Sequence, residues 1–208
     1  MLLGLDVGGT FTDAVIIDGH RVVATAKRRT TKDNLMNGIG EALDAVLEGY
    51  DTSNIEQVTL STTVVTNTIV EEKEQVVDLY VVTGPGRNVD DIFPVKPIYL
   101  QGYTDHRGIV VEHTPADAVR GIANMVQARS GTDLAAVSAK FGVRNPQEEL
   151  SITEELKNTY HVISNGSLLS GSLNFPRRTI SAYFNSAVTP VFTVFKKNVE
   201  DALSARNI

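Results

Sequence analysis

Close to the N-terminus of this 208-residue chain, Asp6-Val7-Gly8-Gly9-Thr10-Phe11-Thr12-Asp13 places two glycines and two hydroxyls between two carboxylates. Residues of these types suit the binding of a phosphate. Adjacent glycines lack Cβ atoms, so the backbone can approach an anion closely, and positive φ at glycine would let successive N–H groups converge on it. Thr10 and Thr12 add hydroxyl donors, which makes Gly8, Gly9, Thr10, Phe11 and Thr12 the candidate phosphate-binding residues. Asp6 and Asp13 are the candidate catalytic carboxylates. Asp6 also stands where a hydrated Mg2+ could be held through water, since that ion keeps several waters and takes one or two carboxylates. A plain hairpin would need the glycines for its turn but not the flanking aspartates and alternating threonines.

Two further segments carry polar groups at suggestive spacing. In Ser61-Thr62-Thr63-Val64-Val65-Thr66-Asn67, Thr63 and Asn67 lie one helical turn apart and share a face, with Ser61 or Thr62 as the cap. Thr62, Thr63 and Asn67 are candidate substrate-binding residues; the competing reading is a cap followed by a packing face. Arg144, in Arg144-Asn145-Pro146, is a candidate contact for a substrate anion, against the reading of a turn in which Asn145 caps the helix that follows. Glu71, Glu72 and Glu74 read as solvated acids, and the basic run Lys27-Arg28-Arg29 reads as a solvated strand end.

The elements that must position these residues follow from periodicity. Extended segments are expected at Leu2 to Val7, Asp13 to Asp18 and Arg21 to Arg29, the last two joined by a turn at Asp18-Gly19-His20, so the chain opens as an antiparallel meander. A helix follows over Asp33 to Glu48, then a strand at Gln57 to Leu60, a helix at Thr63 to Lys73 and a β-branched strand at Val76 to Thr83. Tyr99 to Tyr103 and Gly108 to Glu112 read as a second hairpin. Thr114 and Pro115 open a helix to about Arg129 as cap and first residue. Beyond it come a strand at Leu134 to Phe141, a helix at Gln147 to Lys157 and a strand at Tyr160 to Ser164. A long apolar stripe from Ile180 to Val199 is interrupted at Pro190, which should kink or split its helix. A meander followed by alternating helices and strands is an α/β arrangement with a mixed sheet.

The stretch DVGGTFTD resembles the first phosphate loop of the actin, sugar-kinase and heat-shock-chaperone ATPase superfamily. That resemblance implies a ribonuclease-H-like α/β domain with a β-meander start, a mixed sheet and flanking helices. More narrowly, GLDVGGTFTDAVI, STTVVTNTIVE and FGVRNPQEE resemble, in this order, the N-terminal domain of the hydantoinase A/oxoprolinase family. The family implies ATP-dependent opening of cyclic amides such as 5-oxoproline or hydantoins, with relatives that carboxylate ketones after phosphorylating an oxygen. ATP and Mg2+ are the cofactors it implies, and the Gly8 to Thr12 loop becomes a nucleotide-binding loop. Leu60-Ser61 stands where the family shows His-Gly, and Leu173-Asn174-Phe175-Pro176-Arg177-Arg178 where it favours a Glu-Tyr-Glu-Arg type stretch, which leaves the cyclic substrate open. The resemblance predicts a ribonuclease-H-like domain over 1–175 and a helical segment over 176–208 leading toward a second-half domain or B-type subunit. The apolar stripe of that segment predicts contact with a partner, including another copy of the chain.

Composition narrows the alternatives. With 42% hydrophobic and 21% charged residues the chain is globular, and without cysteine it has neither disulfides nor thiolate metal sites. Four scattered histidines show no metal-ligand spacing, and a net charge of −6 argues against nucleic acid as a partner. No apolar run reaches the roughly 20 residues of a membrane span, so a cytoplasmic protein is expected. The leading expectation is an ATP-dependent cyclic-amide hydrolase, inactive as an isolated domain. A small-molecule kinase of the same superfamily, or a non-catalytic nucleotide-binding or assembly subunit, stays open.

Overall fold

Leu3, Leu5 and Val7 alternate with Leu2, Gly4 and Asp6, and this period of two makes strand β1 (Leu2–Val7), whose Leu3, Leu5 and Val7 are buried. A computed structural model describes residues 1–30, 35–86 and 90–208. In it the chain groups into two units, 1–73 with 190–208 and 74–189.

In the first unit, β1 pairs antiparallel with β2 (Phe11–Asp18), and β2 pairs antiparallel with β3 (Arg21–Arg29). The turn between β2 and β3 uses Gly19 at φ +57, a conformation without cost only for glycine. Helix α1 (Leu35–Leu47) lays Ile39, Ala42, Leu43 and Val46 on the inward residues of β1 and β2. The expected start of this helix at Asp33 lies outside the described residues. Strand β4 (Gln57–Thr62) returns parallel to β1, completing the order β3-β2-β1-β4, and leads into helix α2 (Val64–Val70). Helix α2 is shorter than the expected Thr63 to Lys73 because Glu72 enters the left-handed region at φ 53, and Lys73 N–H turns back to the Thr68 carbonyl at 2.9 Å.

The second unit contains a parallel sheet ordered β10-β9-β5-β6, built from β5 (Asp78–Val82), β6 (Ile98–Tyr99), β9 (Leu134–Ala139) and β10 (Val162–Asn165). Strands β7 (Tyr103–Thr104) and β8 (Val110–Glu112) form a separate antiparallel pair. The expected hairpin of Tyr99 to Tyr103 with Gly108 to Glu112 is therefore corrected: Ile98 and Tyr99 join β5 in parallel, and only Tyr103 and Thr104 pair with β8. Strand β9 is buried along its whole length, as a central parallel strand covered on both faces requires. One face, with Tyr80, Val82 and Val137, packs against α3 (Ala116–Ser130) and α4 (Gln147–Leu156). Helix α3 begins one residue later than its sequence suggests, with Pro115 at the cap position and no side chain capping it. The short α5 (Gly166–Leu169) follows β10.

The last helix, α6 (Phe175–Ser204), runs through Pro190 without being split. Phe175, Ala182, Tyr183 and Ala187 complete the core on the other face of the second sheet, while Phe195, Val199 and Ala202 lie in the core of the first unit. Much of the apolar stripe is thus covered within the chain, while Phe192 and Val194 stay exposed. The sequence reading sets one boundary at 175/176, whereas packing groups the chain at 73/74 and 189/190, because the strands form two main sheets and α6 contributes to both cores. The α/β class, the β-meander start, the mixed sheet and the flanking helices are as expected.

Candidate functional site

The loop between β1 and β2 is closed by Gly8 N–H donating to the Phe11 carbonyl at 3.0 Å. Neither Gly8 nor Gly9 has positive φ, so the converging nest expected from the sequence does not form. Glycine is required here for space. A Cβ on Gly8 would stand 3.1 Å from the Phe11 carbonyl oxygen, and one on Gly9 would stand 3.0 Å from the Asn67 side-chain nitrogen. Those positions are filled by the loop's own carbonyl and by the Asn67 side chain, and Gly8 and Gly9 bring bare backbone to the wall of a neighbouring cavity.

The hydroxyls around the loop are mostly spent on structure. Thr12 is fully buried, its hydroxyl 3.1 Å from that of Thr30, and Thr30 N–H donates to the Thr10 carbonyl at 2.9 Å. Thr12 is thus an anchor of the loop and presents no hydroxyl to a ligand, a correction to its expected role; alternation along β2 turns it inward. Thr10 is exposed at the tip. Thr62 donates its hydroxyl to the Val7 carbonyl at 3.0 Å and accepts Val64 N–H at 3.1 Å, tying the start of α2 to the end of β1. Asn67 donates to the Thr63 hydroxyl at 3.3 Å, as their shared helical face suggests. A cavity of about 180 Å3 is lined by Gly8, Gly9, Thr30, Thr62, Thr63 and Asn67, together with Glu71 and Lys73 at its mouth. Lys73 is paired with Glu71 at 2.6 Å. At seven residues α2 is too short to contribute a helix dipole of consequence, so the cavity relies on side chains and bare backbone.

The two aspartates lie on the opposite side of the sheet. Asp6 and Asp13 are directly paired in the β1–β2 register, Asp6 is also paired with Ser61 of β4, and Asp13 with Lys27 of β3. One row therefore crosses four strands as Ser61, Asp6, Asp13, Lys27, and these residues line a shallow concavity of about 480 Å3. The Lys27 ammonium donates to both Asp13 oxygens, at 2.9 and 3.0 Å, and sits 4.8 Å from the centre of the Phe11 ring. Asp6, exposed, has no ion pair of this kind among the described residues. The run Lys27-Arg28-Arg29, read as a solvated strand end, thus has one member in direct contact with a candidate carboxylate. Period-two alternation in β3 signals that Lys27 shares a face with its neighbours in the row; the pairing register had to come from the fold.

Arg144 belongs to the second unit, exposed in the turn after β9. Its neighbour Asn145 does what a cap does, accepting Gln147 N–H at 3.0 Å, and also donates to the Gly108 carbonyl at 2.9 Å. The Gln147-Glu148-Glu149 run carries the buried charges that the sequence does not reveal. Glu149, fully buried, accepts Ala139 N–H at 2.8 Å, Ser167 N–H at 2.8 Å and the Ser167 hydroxyl at 2.5 Å. Glu148 accepts Thr114 N–H at 3.0 Å and is 2.6 Å from His113 Nδ1. The buried Arg178 donates to the Ser172 and Ala139 carbonyls at 2.6 and 2.8 Å, and burial pushes its guanidinium below the usual arginine range. Glu149 and Arg178 both hold the Ala139 end of β9, while Glu148 ties the start of α4 to the backbone at Thr114.

No group of three or more His, Cys, Asp or Glu side chains that could cage a metal exists among the described residues, and none of the described helices is long and apolar enough to cross a membrane. Residues 2–160 match the family model for the hydantoinase/oxoprolinase N-terminal region. No curated protein matches the chain. Among solved structures, a nucleotide-free acetone carboxylase is similar at 17% identity over 99% of this chain, with a TM-score of 0.75. An ATP-dependent caprolactamase from Pseudomonas jessenii is similar at 18% identity over 99% of this chain, with a TM-score of 0.69. The chain spans 34% of each of those two proteins, and at these identities the likeness concerns the fold.

Proposed function

The chain belongs to the hydantoinase/oxoprolinase family through its N-terminal region, and from that premise we propose that it is the phosphate-binding part of an ATP-dependent enzyme that opens cyclic amides by phosphorylating the amide oxygen. The observation that carries this reading is the meeting of Gly9 with Asn67, which draws the glycine loop and the Thr62 to Asn67 segment around one cavity. A solved relative by fold is an ATP-dependent caprolactamase, whose substrate class agrees with the proposal.

The residues present fit the groups this chemistry needs. Gly8 and Gly9 line the cavity with bare backbone, where a phosphate oxygen could meet it, and the exposed Thr10 adds a donor at the loop tip. Asp6 is a single exposed carboxylate beside a concavity, the donor set of a hydrated Mg2+ and not of an all-protein cage. ATP held there would supply the phosphoryl group, with Mg2+ to neutralise the charge that develops on it. Gly8 and Gly9 would admit the phosphates, Asp6 would hold water around the metal, and Thr30 with Thr12 would keep the loop from moving as charge develops. Thr63 and Asn67 present a hydroxyl and an amide toward the same cavity, where they orient the substrate's amide. Catalysis then rests on positioning and charge stabilisation.

The experiment is to supply the complete enzyme with a cyclic amide carrying 18O in its carbonyl. Phosphorylation of that oxygen sends the label into inorganic phosphate when the ring opens. Phosphate without label overturns the proposal, and a stable phosphorylated product without ring opening would instead identify a small-molecule kinase. This chain by itself should turn over ATP well below the ~1 s⁻¹ of a working enzyme.

A further inference from the structure

We propose that Lys73 is the cation that binds the terminal phosphate of the nucleotide, placed at the cavity by a left-handed turn at Glu72. The inference rests on the phosphate-loop reading above and deepens it by naming a charged contact in the same cavity. Lys73 lines that cavity together with Gly8, Gly9, Thr63 and Asn67. Helical spacing would not put it there. At about 100° per residue, a continued α2 would turn position 73 about 120° away from Asn67. The helix stops instead at Val70, Glu72 takes φ 53, and Lys73 N–H returns to the Thr68 carbonyl at 2.9 Å. A left-handed conformation is unfavourable for a glutamate, and such strain persists where the surrounding structure over-determines it. Here the strained turn brings Lys73 back to the side of Gly9 and Asn67.

The chemistry of the lining selects an oxyanion. Among the described residues, the charged groups on it are Glu71 and Lys73, whose charges balance. Its donors are largely unspent. The Lys73 ammonium has three N–H groups, of which one meets a single Glu71 oxygen at 2.6 Å, so the pair positions the ammonium and leaves two donors for a ligand. Asn67 gives one of its two amide N–H groups to the Thr63 hydroxyl, which keeps its own proton to donate. The Gly9 N–H makes no hydrogen bond among the described residues. The volume, about 180 Å3, is below the roughly 300 Å3 at which sites for whole small molecules begin, so the cavity takes one group of a larger ligand. In the proposed reaction the terminal phosphate is the group that is anionic and accepts hydrogen bonds without donating them, whereas a cyclic amide is neutral and also donates.

The test compares ATP with ADP on the complete enzyme by isothermal titration calorimetry in the presence of Mg2+. The Lys73 side chain is 69% exposed, so its replacement leaves no cavity in a core. Lys73→Met should weaken ATP at least about tenfold, ~1.4 kcal/mol, while ADP changes less than about twofold. Lys73→Arg, which keeps charge and reach, should retain ATP affinity within about threefold. Glu72→Gly, which adopts the same left-handed turn without a Cβ, should leave ATP affinity within about twofold. A merely structural lysine would not distinguish the two nucleotides. Loss of ATP and ADP in equal measure in Lys73→Met, or of neither, overturns the assignment of Lys73 while leaving the phosphate loop standing. A parent enzyme that binds neither nucleotide overturns the loop reading and this inference together.

Discussion

The side-chain nitrogen of Asn67 lies 3.0 Å from the point at which Gly9 would carry a Cβ, so a residue of α2 closes directly over the bare backbone of the β1–β2 loop. The contact joins two segments more than fifty residues apart and explains why glycine stands at position 9 although its φ is not left-handed.

Gly9 and Gly8 should therefore respond differently to substitution. At Gly9 the obstacle is the tip of a flexible side chain, so Gly9→Val should leave the thermal midpoint within a few degrees, about 1 kcal/mol, yet abolish nucleotide binding. At Gly8 the obstacle is the Phe11 carbonyl, which accepts the loop's own hydrogen bond, and Gly8→Ala should lower stability by about 1–2 kcal/mol. Calorimetric unfolding with and without ATP separates the two. Tight ATP binding by Gly9→Val would remove the loop from the site.

Asp6→Asn keeps shape and hydrogen-bonding capacity but removes the charge. On the complete enzyme, turnover should fall by about 10²-fold or more while ATP still binds, as when a metal-organising group is lost. Steady-state rates within about twofold of the parent, ~0.4 kcal/mol in the barrier, would make Asp6 a residue of the hairpin alone.

Glu149 has no solvent exposure and three protein donors. Glu149→Gln would place an amide N–H against one of them and remove the charge that faces Arg178, costing about 3 kcal/mol or more. Urea unfolding followed by circular dichroism should register a lower midpoint. An unchanged midpoint would mean that these hydrogen bonds are not needed to hold the end of β9.

Asp105 tests the acid limb of stability. Hydrogen bonds from Ile109 N–H, and then from Arg107, hold its carboxyl down to about 2, below the usual 3.8. A depressed folded-state value contributes stability that is present above about pH 4 and is lost as the pH falls toward 2. Asp105→Asn should flatten the dependence of the unfolding midpoint between pH 5 and pH 2 relative to the parent. Parallel pH profiles for the two proteins would contradict this.

Part of the local geometry around the loop was legible in the chain because its signals are local. Alternation of Leu3, Leu5 and Val7 with polar or small residues specifies which side of β1 is buried, and the same rule turns Thr12 inward and Asp6 outward. The pairing of Thr63 with Asn67 follows from helical spacing alone. What periodicity cannot encode is which distant segment meets which. That Lys27 faces Asp13 depends on the β2–β3 register and its irregularity at Ile16 and Ile17. That Ile98 and Tyr99 join β5, and not the strand that follows them, depends on a parallel edge being free. Nothing in the spacing of Gln147-Glu148-Glu149 signals that its acids are buried, which they are because backbone donors at Ala139, Thr114 and Ser167 reach them. The apolar stripe of α6 announces burial without saying against what. Amphipathicity specifies that a face must be covered, and only the tertiary packing decides the partner, which here is the chain's own pair of cores.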